Sequence, residues 1–567
     1  MKAEELFFVI DSTNLKSVRP AFYGYSLKAD GLQVASGNGA LPETDGNGCY
    51  VKVEVDEKRI KITQDFSGTF GLFLFEKDGY FALGNSFQRL LDHVKTRCRL
   101  SPDWTYIDHF LFVSLCSHSC TRTPVREIRL LDRNSTVEID LETAALTEKR
   151  SPVNEYGLEL DSAEALAALD EWHEKWTAII GGVARMTDDV KISLTGGFDS
   201  RATFMLAQNS GADLNRFFIH SINDGNHNHQ EDFEIASAIA GRYGITLNNV
   251  NKTAPRRNYD IEESFLQSFR LKAAFHKQFY FKQNERLEPM FIIPGMGGEM
   301  TRGYWNMKPS TFRSLYREKA AKYAGDPNGR YAEAVRTVLS EGVEYVRKKF
   351  GIADWNWNYI PMLVYRESRC RFHYAWTAID DFMSGSIDVL PFFDPLLAQV
   401  KLNTEKCQDI ILLRTLMFVR YGAELLDFKF DAGRAIAPET LECARRINAA
   451  YPRKGVVPAK GDFKAFFKPR SAGEPRPSIE RAAVEKFTLG AVTSERFRAM
   501  TVARFGQGVY DEAAAFYAST GHFPQSQFMA ILGLHYVFDA IELSEKCASS
   551  SAMDMMNALI SGARKSC

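Results

Sequence analysis

The sequence lacks an excess of charge and lacks long apolar runs. Its 70 Lys and Arg residues nearly balance its 71 Asp and Glu residues, for a net charge of -1. We therefore expect no general attraction to nucleic acid or to an anionic membrane. No segment approaches about 18 consecutive apolar residues, so we expect no membrane-spanning helix. The opening stretch, MKAEELFFVID, is acidic within five residues and unlike a signal peptide, so we expect a cytoplasmic protein.

Cysteine pairs at metal-binding or redox spacing are also lacking. The nine cysteines are scattered, and none forms a CxxC pair. Cys116 and Cys120 are four residues apart with His118 between them, but a zinc site would need a second such cluster nearby. Reduced thiols are therefore the expected state. The motif GxxxxGK followed by Ser or Thr is absent too, which excludes a P-loop NTPase.

The sequence does have the composition of a globular protein, and it contains two regions with different hydrophobic patterns. Hydrophobic residues make up 45% and charged residues 25% of the 567 residues, enough for sizeable cores. Residues 1–152 are rich in short alternating apolar runs. Asp78-Gly79 between two such runs predicts a hairpin, and the stretch 126–143 predicts a strand pair that turns at Asn134. This first domain should consist of antiparallel sheets with few helices.

In the second region, residues 153–567, predicted strands and helices alternate. A helix capped by Asp161 or Ser162 comes first. The predicted strands VKISL, RFFIHSI, ITLNNV and MFIIPG then alternate with the helical stretches SRATFMLAQ and EDFEIASAIAGRYG. Such alternation predicts a parallel α/β sheet. From about residue 310 onward the chain is mostly helix-like, apart from an irregular basic segment at 451–478.

The turn after VKISL carries the main functional signal. It reads TGGFDS, residues 195–200. Adjacent glycines allow a ligand to approach the backbone closely, and the following helix directs its free N–H groups and dipole at the turn. With the hydroxyls of Thr195 and Ser200, this predicts an anion cradle at the carboxyl end of a parallel strand. Asp199 suits either a Mg²⁺ ion bridging to phosphate or an ordinary helix N-cap. Arg201 either contacts phosphate or substrate, or is an exposed first-turn arginine.

The turn resembles the S-G-G-x-D-S loop of the ATP pyrophosphatases, with Thr195 in place of the usual Ser. Within that group, the chain resembles the asparagine synthetase family over most of its length. GMGGEMTRGY (295–304) is similar to G-x-G-A-D-E-x-x-x-G-Y, PFFD (391–394) to P-F-L-D, and LLR (412–414) to L-L-R. DFSGTFGLFLFEKDGYFALGN and TRTPVREIRLL resemble segments of the family's first domain. Aligned on G-x-G, Glu299 stands at the family's second magnesium-binding Asp; aligned on the final G-Y, it is the Glu that follows and no Asp remains.

The resemblance implies an α+β and α/β protein: an N-terminal Ntn-hydrolase-like antiparallel β sandwich, and a C-terminal PP-loop parallel-sheet domain with a helical extension. It implies that ATP binds with Mg²⁺, with Asp199 and Glu299 as metal ligands. It also implies a lysine that neutralises the transition state of adenylation; Lys429 is our candidate, with Lys454, Lys460 and Lys464 as alternatives. The residues expected to contact ATP or its pyrophosphate are Leu194, Thr195, Gly196, Gly197, Asp199, Ser200, Ile219 and Gly295.

Two departures from the family restrict the expected chemistry. The family's glutaminase cysteine, exposed by removal of Met1, is replaced by Lys2, and the first cysteine is Cys49. We therefore expect no glutaminase activity and a scaffolding role for this domain. The second motif carries Met296, which cannot shuttle protons, so neither asparagine nor a β-lactam is the expected product. A base would then come from another residue: His220, Glu231, Asp232 or Asp388.

The expected function is that of an AMP-forming ligase, which adenylates a small-molecule or peptide carboxylate and transfers it to an amine or ammonia. A sugar acid of surface-polysaccharide synthesis is one substrate class left open. The alternative is a non-catalytic nucleotide-binding scaffold, favoured by the lost glutaminase groups and by Met296 and Glu299. Adenylation of a non-carboxylate oxygen, as in sulfur-transfer relatives, is disfavoured because no paired catalytic cysteine occurs. A homodimer is compatible with the sequence.

Overall fold

The structure is a computed structural model that describes most of the chain. The described residues are 6–563, apart from 39–40, 114, 151–153, 226, 250–255, 280, 304–328, 353–358, 454–463, 467–476, 493 and 521–526. Lys2, Lys454 and Lys460 therefore lie outside the described residues. Across the described residues, every helix is too short or too polar to cross a lipid bilayer.

Antiparallel strands dominate the first part of the chain. They are β1 (Val9–Asp11), β2 (Ala21–Lys28), β3 (Gly31–Asn38), β4 (Gly48–Val55), β5 (Arg59–Gln64), β6 (Phe73–Lys77), β7 (Tyr80–Gly84), β8 (Ile128–Leu130), β9 (Ser135–Asp140) and β10 (Leu146–Arg150). One sheet has the order β1-β7-β6-β8, and the other includes β10-β9-β5-β4-β2-β3. Two short helices, α1 (Phe87–Val94) and α2 (Trp104–Phe112), accompany them.

The hairpin predicted at Asp78-Gly79 is confirmed, since β6 and β7 pair antiparallel across it. Both turn residues have positive φ, 50° and 78°, which matches the twist of a tight hairpin. The pair predicted around Asn134 is wrong in its partners. Ile128 and Leu130 of β8 bury their side chains on β6, whereas β9 pairs with β5 in the other sheet. The chain therefore passes from one sheet to the other between β8 and β9.

The second part of the chain alternates strands and helices. Its first elements are α3 (Ala163–Met186), β11 (Val190–Ser193), α4 (Phe198–Asn209), β12 (Phe218–His220), α5 (His227–Arg242), β13 (Arg256–Asn258), α6 (Ile261–Lys272), β14 (Asn284–Arg286) and β15 (Met290–Ile293). Ser162, one of the two predicted caps, is the N-cap of α3, and its hydroxyl accepts from the Ala165 amide at 3.1 Å.

The predicted parallel sheet is confirmed, but its strand composition differs from the prediction. In the described residues its order is β12-β11-β15-β16, with all neighbours parallel. The fourth strand, β16 (Ser386–Asp388), lies in the region predicted to be mostly helical. The predicted strand ITLNNV does not form in residues 245–249; instead the Asn248 amide donates one bond, of 2.8 Å, to the Ile219 carbonyl.

Helices form most of the remaining described chain, as predicted. They are α7 (Arg330–Phe350), α8 (Ile360–Glu367), α9 (Trp376–Met383), α10 (Pro395–Ala398), α11 (Leu412–Tyr421), α12 (Pro438–Ala450), α13 (Arg481–Val492), α14 (Glu495–Phe505), α15 (Gln507–Thr520) and α16 (Gln527–Ala563). Within the basic segment, β17 (Lys464–Phe466) pairs in parallel with β3. The large N-terminal sheet therefore ends in a strand contributed by the C-terminal part of the chain.

Candidate functional site

The double-glycine bend follows the central strand β11 and is closed by two hydroxyls. The Thr195 amide donates to Ser200 Oγ at 3.0 Å, and the two hydroxyl oxygens lie 2.8 Å apart. The Gly197 amide donates to Thr195 Oγ1 at 3.1 Å. Both hydroxyls therefore take part in the hydrogen bonds that close the bend.

Gly196 is held on both sides of its peptide unit. Its N–H donates to Asp232 Oδ1 at 2.9 Å, and its carbonyl accepts from the Asp431 amide at 3.2 Å and from Arg201 Nη2 at 3.1 Å. A Cβ on Gly196 would lie 2.6 Å from Ile235 Cδ1. The next atom is Asp431 Cβ at 3.0 Å, so a side chain at position 196 would have to displace its neighbours.

Helix α4 begins directly after the bend. Its N-cap is Gly197, and none of the described side chains caps its first turn. The first amides of a helix have no partner within the helix, and they lie at the positive end of its dipole. The first amides of α4 are therefore candidate donors for an anion at the bend.

A second glycine-rich loop follows β15, which pairs with β11 in parallel. Gly297 in this loop has a φ of +81°. A Cβ on Gly295 would lie 2.7 Å from the Ser200 nitrogen, and one on Gly298 would lie 2.5 Å from Asp199 Cβ. The two loops therefore contact each other, and the glycines of GMGG make room for the first turn of α4.

This contact places Asp199 beside Glu299, and both carboxylates have protein partners. Arg302 Nε donates to Asp199 Oδ1 at 2.9 Å and Arg302 Nη2 to Oδ2 at 2.8 Å, a bidentate pair. Arg414 Nη2 lies 3.6 Å from Asp199 Oδ1. The Tyr374 hydroxyl donates to Glu299 Oε1. Burial, and then the neighbouring charge of Asp199, raise the pKa of Glu299.

Arg414, the last residue of LLR, binds the second glycine-rich loop through hydrogen bonds and a ring contact. It is fully buried, donates to the Gly298 carbonyl at 2.9 Å and to Thr301 Oγ1, and stacks 4.4 Å from the Phe392 ring centroid. Burial lowers the pKa of Arg414 to about 10, so it stays charged at neutral pH. Two motifs that are weak in sequence, PFFD and LLR, thus meet at this loop.

Tyr374 reaches Glu299 from a local irregularity in the helical region. Residues 371–375 form a π-helical turn directly before α9. Such insertions rotate the following side chains and occur often at functional sites. Sequence reasoning missed Tyr374 because the turn has no local signature. It also missed Arg302, although this residue lies only three positions after Glu299.

Other predicted residues lie near the bend without lining it. The side chains of Leu194 and Ile219 are fully buried, so only their backbone is available to an adenine ring. Lys429 lies in the segment that contacts Gly196; its side chain is 66% exposed, with Nζ 3.4 Å from Glu231 Oε1. Met296 packs against the hydrophobic core.

The candidate bases have different environments. Burial lowers the pKa of His220, with a smaller contribution from the charge of Lys191. Asp388 is fully buried on β16, and burial raises its pKa well above the ordinary value. Burial raises the pKa of Asp232 and the charge of Asp431 adds to this, although the Gly196 N–H acts in the opposite direction. Asp232 is the candidate in direct contact with the bend.

The described residues contain no group of three or more His, Cys, Asp or Glu side chains placed to hold a metal ion. Cys49 is buried in β4, and burial raises the pKa of its thiol well above the ordinary value.

Compared with known proteins, the chain matches no protein-family model, and no curated protein matches it significantly.

Proposed function

We propose that this chain is an AMP-forming carboxylate–amine ligase related to the asparagine synthetases, without glutaminase activity. The observation that carries the proposal is the contact between the two glycine-rich loops at the ends of β11 and β15. It combines an uncapped helix N-terminus with an adjacent pair of carboxylates, Asp199 and Glu299. Such an arrangement suits the pyrophosphate portion of ATP together with a divalent cation.

In the proposed reaction, ATP is a substrate. An oxygen of the substrate carboxylate attacks the α-phosphorus, the α–β phosphoanhydride bond breaks, and pyrophosphate leaves. The nitrogen of an amine or of ammonia then attacks the acyl carbon; the bond to AMP breaks, and a base removes the nitrogen's proton. The first-turn amides of α4 and the Thr195 and Ser200 hydroxyls would bind pyrophosphate. Lys429 would neutralise charge that develops at phosphorus.

The carboxylate pair fits magnesium in ligand type, because Mg²⁺ often takes one or two protein carboxylates plus phosphate oxygens. Bound magnesium would neutralise phosphate charge. In this structure Arg302 holds both oxygens of Asp199, so the cation and Arg302 compete for this carboxylate. Arg302 released from Asp199 would itself be a donor for phosphate.

The N-terminal domain, which we propose to be Ntn-hydrolase-like, would then act as a scaffold. The buried thiol of Cys49 in the sheet supports this role. Ammonia or an amine would reach the site from solution. The acyl donor would be a small-molecule or peptide carboxylate, with sugar acids among the candidates.

Exchange of labelled pyrophosphate into ATP tests the ligase directly. With a panel of carboxylates and Mg²⁺, we expect exchange that depends on one class of carboxylate, and AMP and amide products after an amine is added. The Asp199→Ala variant should lose exchange. The matched control is Asp213→Asn, an exposed aspartate that precedes β12 and lies at the other end of the parallel strands from the bend. Tight ATP binding without exchange on any carboxylate would contradict the ligase.

A nucleotide-binding scaffold is the second candidate, and one observation favours it. The groups that should bind ligands already have protein partners: Asp199 binds Arg302, Glu299 accepts from Tyr374, and the Gly196 amide donates to Asp232. A site arranged only to bind nucleotide can keep such partners through every state. Saturable ATP binding without any ATP–pyrophosphate exchange would support this candidate.

A further inference from the structure

Arg201, the fourth residue of α4, is not exposed. Its side chain has 0% relative exposure, so the interpretation as an exposed first-turn arginine is wrong. A charged guanidinium is buried only where its donors find acceptors, because removing it from water is unfavourable. The contacts of Arg201 therefore indicate why this residue type is needed here.

The guanidinium joins the double-glycine bend to a segment more than 220 residues later in the chain. Nη1 donates to the carbonyls of Leu425 and Phe428, both at 3.0 Å. Nη2 donates to the carbonyl of Lys429 at 2.7 Å and to that of Gly196 at 3.1 Å. One planar fork thus fixes four backbone carbonyls, a geometry that a lysine ammonium cannot reproduce.

Stacked rings complete this connection. The Arg201 guanidinium lies 3.9 Å from the centroid of the Phe430 ring, and Phe430 stacks on Phe198 at 3.9 Å and 17°. The Asp431 amide adds its bond to the Gly196 carbonyl. The segment 425–431 is therefore attached to the bend through backbone bonds and through a cation–π stack.

The ammonium of Lys429 lies near a carboxylate that also binds the neighbouring backbone. Lys429 Nζ lies 3.4 Å from Glu231 Oε1, and Glu231 Oε2 accepts from the Ala432 amide at 2.9 Å. The lysine is still 66% exposed. It thus extends from a fixed backbone beside the bend, with its ammonium accessible to a ligand.

We propose that Arg201 is a positioning residue, which holds the backbone of Lys429 at a fixed distance from the double-glycine bend so that the lysine reaches the phosphates bound there. This rests on the proposed function. Arg201 itself touches no ligand in this account; it acts through Lys429. Its loss should therefore lower the rate of adenylation far more than the affinity for ATP.

The test is a double-mutant cycle on ATP–pyrophosphate exchange. Arg201→Lys keeps the charge but loses the fork, and Lys429→Met removes the ammonium. Each should lower kcat for exchange roughly 10- to 100-fold while the Kd for ATP changes less, because misplacing a catalytic group by about 1 Å can have such an effect. The double variant should be no slower than the slower single variant, since both remove the same interaction.

The control is Arg216→Lys, at an exposed arginine paired with Asp188 before β12; its kcat should equal that of wild type. If Arg201→Lys does not fold, Phe430→Leu removes the stack more gently and should show the same non-additivity with Lys429→Met. The proposal would be overturned if the kcat losses of the two single variants multiplied in the double variant, or if ATP affinity fell in proportion to kcat. Exchange by the wild type would still support the ligase in either case. A wild type that neither binds ATP nor exchanges would overturn both.

Discussion

Single residues of the two glycine-rich loops determine how closely the carboxylates approach. Gly298 lies so near Asp199 that a Cβ would come within 2.5 Å of Asp199 Cβ. The sequence predicted this pairing only through a resemblance of motifs. What it could not supply were the partners, Arg302 and Tyr374, because their positions depend on a loop and a π-helical turn far from residue 199.

Gly298→Ala should therefore displace Asp199. We expect a loss of about 1–3 kcal/mol in unfolding free energy from overpacking. Urea denaturation followed by circular dichroism measures it. The matched control is Gly241→Ala in α5, where none of the described atoms lies within 4 Å of the added Cβ; it should be neutral or slightly stabilising. Equal stability of Gly298→Ala and wild type would contradict the contact.

We expect the folding stability of the protein to depend on pH through Glu299. Burial and the charge of Asp199 raise its pKa in the folded protein above the ordinary value of 4.5. The folded state therefore binds the proton more tightly than the unfolded state, and stability falls as pH rises from the ordinary pKa through the raised one. Glu299→Gln removes this titration and keeps an oxygen that can accept from Tyr374.

We expect Glu299→Gln to melt at a higher temperature than wild type at about pH 8, with a difference that shrinks as pH falls towards the ordinary carboxyl range. Melting curves without added magnesium measure this. Glu57→Gln, at an exposed position, is the control and should show no such trend. If the melting-temperature difference between Glu299→Gln and wild type grew as pH fell, it would contradict the raised pKa of Glu299.

At the scale of elements, strongly local signals were predictable. The strand–bend–helix unit at β11 and α4 and the β6–β7 hairpin follow from glycine placement and apolar periodicity in a few neighbouring residues. The three-residue strand β16 was missed because its sequence, SID, becomes a strand only beside β15. ITLNNV has the composition of a strand, yet its described residues, 245–249, form no strand and include a turn at 247–248.

Helix α5 also affects the bend, through Asp232. This carboxylate accepts the Gly196 amide hydrogen and places negative charge where phosphate is proposed to bind. Asp232→Asn keeps an acceptor oxygen for the amide and removes the charge. We expect pyrophosphate to bind more tightly, by roughly fivefold at low ionic strength, because a nearby unit charge is worth on the order of 1 kcal/mol.

Isothermal titration with pyrophosphate measures this change, and added salt should reduce it. Asp213→Asn is again the control. If Asp232→Asn bound pyrophosphate more weakly than wild type, Asp232 would be a required ligand of the site and not a competitor for the amide.

At the scale of the whole molecule, the two parts of the chain share a buried ionic network. Arg133, after β8, donates to Glu367 Oε1 at 2.8 Å and to Glu155. Glu155 also pairs with Arg366, and Glu367 also accepts from Lys349 at 2.8 Å. These side chains are at most 7% exposed. No sequence pattern predicted this network, because its members lie up to 234 positions apart.

Arg133→Met should destabilise the whole chain strongly. It leaves two buried carboxylates short of a partner, and such losses typically amount to about 3–5 kcal/mol. Urea denaturation should show one transition at a much lower midpoint. Arg99→Met, where the side chain is 67% exposed, is the control and should change stability by less than about 0.5 kcal/mol. Unfolding of one part while the other stays native would contradict a shared interior.

We propose that the double-glycine bend and the start of α4 bind the pyrophosphate portion of ATP. The decisive experiment is isothermal titration calorimetry of ATP with magnesium, on wild type and on Asp199→Ala. We predict saturable one-site binding by wild type, competition by free pyrophosphate, and at least tenfold weaker binding by the variant. Absence of heat at saturating nucleotide, or identical isotherms for the two proteins, would contradict the account.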